Sequence, residues 1–250
     1  MEVSDYNLFA SDYHSKRKKP WKALKIFIDQ MKNDGYTFKG VILDLGCANA
    51  RNFKIIGEFP KKIIGIDNSL ELLKIANDNL KNIKQYTPAE SNFYQILLGD
   101  LNFLPIRPNS ISNIFSIATI HHIKTKSNRE KLIHFSLRVL KKDGALIVTV
   151  WRKWQKKYRR YFLFDLIKRR FNNKYRHRQE NKGLPEFGDK FVPWGTSVGN
   201  IFYNRFYHFF SIHEIKDLLN DCEVKVFKIM GGPTNNDNFF IAAYKKTNGI

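Results

Sequence analysis

The sequence predicts an α/β fold: a doubly wound, mostly parallel sheet of seven strands, formed by one domain over residues 1–250. Short apolar runs alternate with longer amphipathic stretches along most of the chain, which is the pattern of a parallel sheet covered by helices. The first apolar run leads into Asp44-Leu-Gly46, and the second ends at Asp67. A strand, a tight turn of small residues, a helix and a strand with an acidic tip are together typical of a nucleoside-binding unit.

An arm and one helix precede the sheet and together occupy residues 1–35. Residues 1–19 show no clear period and end in a basic run, so we expect an irregular arm. Pro20 opens the helix, at a position where its missing N–H costs no hydrogen bond. Apolar residues then recur at helical spacing on one face. These residues are Trp21, Leu24, Ile28 and Met31.

Seven apolar runs have the length and composition of strands. They cover residues 41–45, 62–67, 94–98, 111–120, 145–151, 223–229 and 238–244. We expect a helix capped by Asn68, with Glu71 as its capping-box partner, after the second strand. A further helix is predicted over 128–140, and another is capped by Ser211 with Glu214 as its partner.

Residues 152–200, after the fifth strand, lack a clean strand period, and we interpret them as an insertion of helix and loop. From Arg152 to Lys182 the chain has 13 lysines and arginines against two acids. The resulting local net charge of +11 is more than half of the chain's net charge of +20. Aromatic residues are interleaved with these cations. Cations supply affinity for phosphates, and aromatic rings stack on unpaired bases. The clustering favours RNA binding over the alternative of a solvated, lysine-rich surface.

The turn after the first strand indicates which nucleoside cofactor is bound. A dinucleotide site needs Gly-x-Gly-x-x-Gly facing a pyrophosphate, whereas Gly46-Cys-Ala-Asn-Ala50 lacks the second and third glycines. This pattern fits S-adenosylmethionine (AdoMet), which has no phosphate, and predicts a methyltransferase; the alternative is an ordinary strand–helix turn. The expected cofactor contacts are Asp44, Gly46, Cys47, Ala48, Asn49, Asp67, Asn68, Asp100 and Leu101.

The three acids among these contacts have separate expected roles. Asp44 organises the loop and faces the methionine ammonium group. Asp67 accepts hydrogen bonds from the ribose hydroxyls, with Asn68 beside it. Asp100 follows the third strand and is placed for the adenine amino group, with Leu101 against the ring; for Asp100 the alternative is a simple cap.

The tips of the fourth and fifth strands carry candidate substrate residues. Substrates of this architecture bind outside the carboxyl ends of the strands, so we expect His121 and His122 to face the reacting centre. The alternative is a polar pair that closes the strand. Arg152 lies at the tip of the fifth strand, where it is either a substrate residue or the first charge of the basic run. The spacing suggests no third ligand, so we expect no metal site.

Composition also bounds the compartment. No apolar run approaches the roughly 18–20 residues of a membrane span, and the N-terminus has early acids and no apolar signal core. The two cysteines, Cys47 and Cys222, are far apart, which argues against a disulfide framework. We therefore expect a cytoplasmic protein with no membrane association.

Seven segments carry a resemblance to a known family. They are Lys19-Pro-Trp21, Asp44-Leu-Gly-Cys-Ala-Asn-Ala50, Gly65-Ile-Asp67-x-Ser69, Ser116-Ile-Ala-Thr-Ile-His-His122, Phe191-Val-Pro-Trp194, Arg205-Phe-Tyr-His208 and Asp237-Asn-Phe-Phe240. Through them, and over nearly its full length, the chain resembles the tRNA wobble-uridine methyltransferases that esterify 5-carboxymethyluridine. The family usually has Cys-Gly-Asn-Gly where this chain has Cys47-Ala-Asn-Ala50, and we expect the two added methyl groups to be tolerable beside AdoMet.

The resemblance implies a class I (Rossmann-like) AdoMet-dependent methyltransferase fold and tRNA, rather than DNA, as the substrate. It also implies a heterodimer with a small zinc-binding activator protein that pairs along a sheet edge. The implied substrate pocket consists of His122, Arg152, Trp194, Arg205, Tyr207 and His208. A carboxylate is already ionised at neutral pH, so these residues would position it rather than deprotonate it.

Alternatives remain for both the residues and the function. Arg205 and Tyr207 are equally compatible with packing roles, Trp194 with a core position, and Arg17 either with closing the site or with a charge on the arm. A small-molecule methyltransferase would leave the basic insertion without a role. A non-catalytic RNA-binding subunit with the same fold finds its support in Ala48 and Ala50.

Overall fold

The computed structural model describes residues 5–56, 62–86, 93–197, 199 and 201–246. Its strands are β1 (Ile42–Leu45), β2 (Lys62–Asp67), β3 (Phe93–Leu98), β4 (Ile111–Ile117), β5 (Leu140–Trp151), β6 (Asp189–Gly195), β7 (Phe202–His208), β8 (Cys222–Met230) and β9 (Asn238–Lys245). Its helices are α1 (Ala10–Lys16), α2 (Lys22–Asn33), α3 (Phe53–Ile56), α4 (Leu70–Tyr86), α5 (Lys126–Val139), α6 (Arg159–Phe171), α7 (Asn173–Asn181) and α8 (Ile212–Leu218). Short 3₁₀ turns cover Tyr6–Phe9 and Ile120–His122.

Seven strands form one sheet in the order β3-β2-β1-β4-β5-β9-β8. The first five are parallel, and β9 pairs antiparallel with both β5 and β8. The strand order reverses between β1 and β4, which creates the crevice where ligands bind in doubly wound folds. The predicted seven-stranded, mostly parallel sheet is therefore confirmed.

Two hydrophobic cores lie on opposite faces of this sheet. On one face α2 and α4 contribute residues such as Phe27 and Leu73, and on the other face α5 and α8 contribute Leu132 and Ile215. All four of these side chains are buried. Because the strands alternate their side chains between the two cores, the sheet is fixed in register and its carboxyl edge becomes a stable base for a site.

Several predicted boundaries shift by a few residues. Strand β4 ends at Ile117 rather than at residue 120, because Ala118 takes a positive φ of 57° and the chain then enters a 3₁₀ turn. The cap of α4 is Ser69 and not Asn68, since the Ser69 hydroxyl accepts the Leu72 N–H at 3.3 Å. Helix α2 begins at Lys22, two residues after Pro20.

The predicted capping box of α8 is confirmed. The Ser211 hydroxyl accepts the Glu214 N–H at 3.2 Å, and the Glu214 carboxylate accepts the Ser211 N–H at 2.6 Å. This reciprocal pair satisfies two of the N–H groups that the start of a helix leaves unpaired. It therefore fixes the start of α8, through which the chain returns to the seven-stranded sheet.

The inserted segment contains α6 and α7, as expected, but also β6, which was predicted as helix and loop. Strand β6 forms a hairpin with β7, which follows the predicted insertion and was not predicted as a strand. Two features hide these strands in the sequence. Pro193 stands inside β6, where proline is rare except at edges, and the last four residues of β7, Arg205–His208, are all buried. Because both faces of that strand end are covered, it lacks the alternation by which strands are recognised.

The prediction of an irregular N-terminal arm is wrong for the residues that the structure describes; residues 1–4 lie outside them. Tyr6–Phe9 form a 3₁₀ turn capped by Asp5, and helix α1 follows directly. Phe9 is buried between the rings of Trp194 and Tyr203 on the hairpin, with centroid distances of 5.7 and 5.2 Å. The contacts that order this segment thus come from residues nearly 200 positions away in the chain. Hydrophobic periodicity within the segment cannot reveal them.

Among the described residues, no helix combines the length and apolar character that crossing a membrane requires.

Candidate active site

The turn after β1 is held against β2 by its backbone. Gly46 has a φ of +76°, and its N–H donates to the Ile66 carbonyl at 2.7 Å. A Cβ at this position would lie 2.5 Å from the Thr119 side chain. Glycine is therefore required here both for its conformation and for the close approach of β4's end.

Asp67 fixes the same turn from the tip of β2. One carboxylate oxygen accepts the Ala48 N–H at 2.8 Å, and the other accepts the Ser69 N–H at 2.9 Å. A carboxylate can accept about four hydrogen bonds, so two acceptor positions are left for a ligand's hydroxyl groups. Asn68, beside it, is exposed. This is the geometry that ribose binding needs.

Asp44 is a buried carboxylate with an orphaned oxygen. Its side chain is 2% exposed, and Oδ1 has no hydrogen-bond partner among the described residues. Burial, followed by the charge of Asp67, raises the pKa of Asp44 to about 7. A buried anion without a partner is costly, so this position favours a cationic ligand group. The α-ammonium group of AdoMet fits that requirement.

Two other residues of the loop, Asn49 and Cys47, hold it against its neighbours. The Asn49 amide donates to the Arg17 carbonyl at 3.1 Å and lies 3.0 Å from His14 Nδ1, so it holds α1 against the loop. The Cys47 thiol is buried beside Gly65, where an added Cβ would lie 2.7 Å from the sulfur. Burial raises the pKa of Cys47 well above its usual range, which makes this thiol a packing group rather than a nucleophile.

Asp100 and Leu101 follow β3 at the same edge of the sheet, because the preceding Gly99 donates its N–H to the Asp67 carbonyl at 3.0 Å. Asp100 is exposed and accepts the Asn102 N–H at 2.9 Å, which closes a turn. Leu101 is half-buried against the core beneath α5. Both residues therefore lie at the carboxyl edge of the sheet, and the Asp100 carboxylate caps its own turn.

A second group of side chains stacks beyond the ends of β4 and β5. The Tyr207 ring lies 4.8 Å from His121, 4.3 Å from His122 and 4.4 Å from Trp151, measured between centroids. These residues come from the 3₁₀ turn, from β5 and from the hairpin. The hairpin therefore supplies one side of the predicted substrate pocket, next to the carboxyl edge of the parallel sheet.

His122 is held as one neutral tautomer. Its Nδ1 lies 2.9 Å from the Phe206 carbonyl, which can only accept, so Nδ1 carries the proton. Nε2 is then an acceptor, and the Tyr6 hydroxyl donates to it at 3.1 Å. Burial lowers the pKa of His122 to about 3. The ring therefore remains uncharged at neutral pH and acts as an oriented dipole.

Arg205 is a buried cation without a buried anion. Its side chain is 8% exposed, and Nη1 donates to the Tyr207 hydroxyl at 2.7 Å. The guanidinium lies 4.7 Å from the centroid of the Trp194 ring, and its Nε–H has no partner. Among the described residues, no carboxylate forms an ion pair with it. The pocket thus offers a planar, forked donor group for an anionic ligand.

Trp194 is oriented by a residue that the sequence analysis missed. Its indole N–H donates to Asp12 at 2.7 Å, and the other Asp12 oxygen accepts the Ser197 N–H at 2.7 Å. Asp12 and Tyr6 belong to the arm that is predicted to be irregular, in which the basic run at residues 16–19 is the most prominent feature. The Lys19-Pro-Trp21 segment nearby offered a weak signal that this end of the chain is functional.

His208 lies outside the pocket. It alternates with Tyr207 along β7 and so faces the other side of the hairpin, where its Nδ1 lies 2.8 Å from Asp189. There it joins a buried charge network around Lys153 and Glu214, which pair at 2.9 Å. Arg152 directly follows β5 and is half-buried. Its guanidinium donates to the Trp154 carbonyl at 3.4 Å, and its Nε–H has no partner among the described residues.

Comparisons with known proteins agree with this geometry. Residues 43–148 match the family model described as a methyltransferase domain. A tRNA (carboxymethyluridine(34)-5-O)-methyltransferase of Schizosaccharomyces pombe is 26% identical to this chain, covering 96% of it and 94% of the yeast protein. A putative methyltransferase of Encephalitozoon cuniculi is 24% identical, covering 96% and 93%. A SAM-dependent methyltransferase from Methanosarcina mazei superposes with a TM-score of 0.65 at 20% identity, over 85% of this chain and 95% of that one.

The loop strain predicts a stabilising substitution. Ala48 and Ala50 have φ values of 50° and 54°, a region that costs a residue with a Cβ about 1–2 kcal/mol. Ala48→Gly relieves this strain at an entropic cost of about 0.4–1 kcal/mol, so we expect a net gain of roughly 0.5–1 kcal/mol in the free energy of unfolding. Ala50→Gly also loses a fully buried methyl group, worth about 0.8 kcal/mol, and should gain less. Urea unfolding of both variants checks the order; a less stable Ala48→Gly variant would contradict it.

Asp44 predicts a pH effect on the ligand-free protein. Its pKa is raised in the folded state, so folding takes up a proton between about pH 4 and pH 7, and stability declines as the pH rises through that range. Asp44→Asn should therefore stabilise the ligand-free protein by about 1–3 kcal/mol at pH 8 and by much less at pH 5. It should also weaken AdoMet binding roughly ten- to a hundredfold, since a charged partner is lost.

Unfolding at both pH values and titration calorimetry with AdoMet measure these two effects. Asp78→Asn, on the exposed face of α4, is the matched control and should show neither. An Asp44→Asn variant that binds AdoMet as tightly as the wild type would exclude Asp44 as the ammonium partner.

Proposed function

We propose that this chain, which has the class I AdoMet-dependent methyltransferase fold, methyl-esterifies the carboxylate of 5-carboxymethyluridine at position 34 of tRNA. The observation that carries the proposal is Arg205, a buried guanidinium that has aromatic neighbours and no carboxylate partner among the described residues. A carboxymethyl group supplies the missing anion. The Schizosaccharomyces pombe relative is named for this reaction and covers nearly the whole chain.

The chemistry needs positioning rather than proton transfer. When bound between Asp44 and Asp67, AdoMet supplies an activated methyl group. The attacking group is a carboxylate that is ionised at neutral pH, so no general base is required. Arg205 and Tyr207 orient one carboxylate oxygen, and the neutral ring of His122 completes a dry pocket around it. Ordered placement of this kind can account for large rate factors in a displacement reaction.

The basic insertion supports tRNA over a small molecule as the substrate. Tyr158 immediately precedes α6, and its ring lies 6.2 Å from Trp151 in the pocket wall, so the insertion extends directly from the site. Six cations of α6 and α7 form no ion pair within the described part of the chain: Arg159, Arg160, Lys168, Arg170, Lys174 and Arg178. Phe164 and Phe171 are exposed among them. Unpaired cations and exposed rings suit an anticodon arm.

The loop geometry supports a catalytic protein over a non-catalytic subunit. Ala48 and Ala50 keep the positive φ values that the family's usual glycines would adopt without strain. The Ala48 N–H still bonds to Asp67. The two added methyl groups therefore leave the turn with the backbone conformation that glycines would adopt, which supports cofactor binding by this loop.

A sheet edge is available for the expected activator protein. Strand β3 is the last strand on its side of the sheet, and Phe93, Leu97 and Leu98 on it are about half exposed. An open edge with apolar side chains favours pairing with another chain's strand. We propose that the small zinc-binding activator binds there, and that the complex works in the cytoplasm.

A transfer assay tests the proposed function. Labelled AdoMet is incubated with tRNA from a strain that lacks this protein, with and without the activator. Label in position 34 that mild alkali releases is expected, since a methyl ester is labile. Alkali-stable label in tRNA would place the methyl group on another atom. Transfer to small molecules alone would overturn the tRNA assignment.

Arg205 predicts how the enzyme recognises its substrate. Arg205→Gln should lower kcat/KM for tRNA about a hundredfold, because a charged hydrogen bond of about 2–3 kcal/mol is lost. AdoMet affinity should stay unchanged. The wild type should bind an anticodon stem-loop carrying 5-carboxymethyluridine more tightly than one carrying the neutral 5-carbamoylmethyluridine, and the variant should bind both alike. Arg107→Gln, on the exposed loop after β3, is the control. An unchanged preference in Arg205→Gln would exclude this anchor.

A further inference from the structure

We propose that Tyr6 is a positioning residue of the methyl transfer, and that residues 5–17 form a clasp that holds it between the cofactor and the substrate. This inference rests on the proposed function, which it deepens by assigning the substrate side of the site to the N-terminal segment. Residues 5–17 are called the N-terminal clasp below.

The Tyr6 hydroxyl lies at the centre of the pocket's polar groups. It donates to His122 Nε2 at 3.1 Å, since Nδ1 of that ring is already the donor to Phe206. It also interacts with Arg205, the proposed carboxylate anchor. Burial keeps the pKa of Tyr6 well above its usual range, so the hydroxyl remains a donor at neutral pH. One O–H group thus connects the oriented histidine with the anion site.

The N-terminal clasp fixes this hydroxyl from the cofactor side. Asn7 Oδ1 accepts the Ser69 hydroxyl at 2.9 Å and the Glu71 N–H at 3.0 Å, immediately after Asp67. At the other end of the clasp, Asn49 donates to the Arg17 carbonyl at 3.1 Å. Both cofactor-binding turns are therefore bonded to the segment that carries Tyr6.

The same segment is fixed from the substrate side. Asp12 accepts the Trp194 indole N–H and the Ser197 N–H, each at 2.7 Å, and the Lys16 ammonium donates to the Gly195 carbonyl at 2.6 Å. The Tyr6 ring contacts Phe9 at 4.9 Å and His122 at 5.6 Å between centroids. Because the segment that carries Tyr6 is bonded on both sides, the Tyr6 hydroxyl has a fixed position. This position determines where the substrate carboxylate lies.

The bond changes leave Tyr6 unaltered. A carboxylate oxygen forms a bond to the methyl carbon, the sulfur–methyl bond breaks, and its electron pair stays on sulfur. No proton moves, so the phenol keeps its hydrogen throughout. Its contribution is to hold His122 and the carboxylate in line with the methyl group, and small misplacements of such groups cost up to about a hundredfold in rate.

Tyr6→Phe is the test, because it keeps the ring contacts and removes the hydroxyl alone. We expect kcat on tRNA to fall ten- to a hundredfold, with KM for AdoMet and the melting temperature unchanged. Tyr203→Phe is the matched control: its ring stacks on Phe9, and its hydroxyl forms no hydrogen bond within the described residues. It should retain wild-type kcat. A Tyr6→Phe variant with normal kcat would overturn the proposal, and so would one that loses rate only in proportion to a lowered melting temperature.

A readout without catalysis separates this inference from the proposed function. Nitrogen-15 NMR of the histidine side chains should show the Nδ1–H tautomer of His122 in the wild type and a shifted Nε2 resonance in Tyr6→Phe. An unchanged His122 resonance would overturn the contact itself. The wild type could show this His122 resonance and bind AdoMet but methylate no tRNA. That result would contradict the proposed function and, with it, the positioning role of Tyr6, although the Tyr6–His122 contact itself would be confirmed.

Discussion

The buried guanidinium of Arg205 is the constraint on which the site depends. A cation that is 8% exposed must be surrounded by groups that tolerate it, and here these are the Tyr207 hydroxyl and the Trp194 ring. The hairpin that carries all three residues is in turn fixed to the arm through Asp12. The tertiary contacts of the insertion and of the N-terminal segment therefore meet at one buried charge. An apolar side chain at this position would stabilise the fold as well or better.

Asp44 is the counterpart of Arg205 at the cofactor end. Its buried carboxylate has an orphaned oxygen and a pKa raised to about 7. The described residues thus place an unpartnered carboxylate oxygen of Asp44 at one end of the site and the unpartnered Nε–H of Arg205 at the other. In the proposed reaction the ammonium group of AdoMet neutralises the first, and the substrate carboxylate neutralises the second. Selectivity for each ligand then depends on its charge, because each binding step gives one buried group its missing partner.

The loop between them shows how far the sequence pattern can vary while the geometry stays fixed. Positive φ values at Ala48 and Ala50 are strained for residues with a Cβ, yet the Asp67 carboxylate and the Ile66 carbonyl hold the turn through backbone N–H groups. Backbone hydrogen bonds do not depend on the side chain. The loop therefore keeps its shape at the expense of some stability.

The sequence by itself determined the sheet and the position of the Asp-x-Gly turn at its carboxyl edge, because those features are local. Apolar runs of strand length, the Asp-x-Gly turn and an acid at the tip of β2 lie within a few residues of one another, and a parallel sheet has one carboxyl edge where they must meet. Only the tertiary structure decided the substrate side. Pro193 and the two-sided burial of β7 concealed the hairpin, strand alternation turned His208 away from Tyr207, and Tyr6 and Asp12 gained their roles from partners more than 100 residues distant. Contacts of that range leave no period in the chain, since they depend on which surfaces packing brings together.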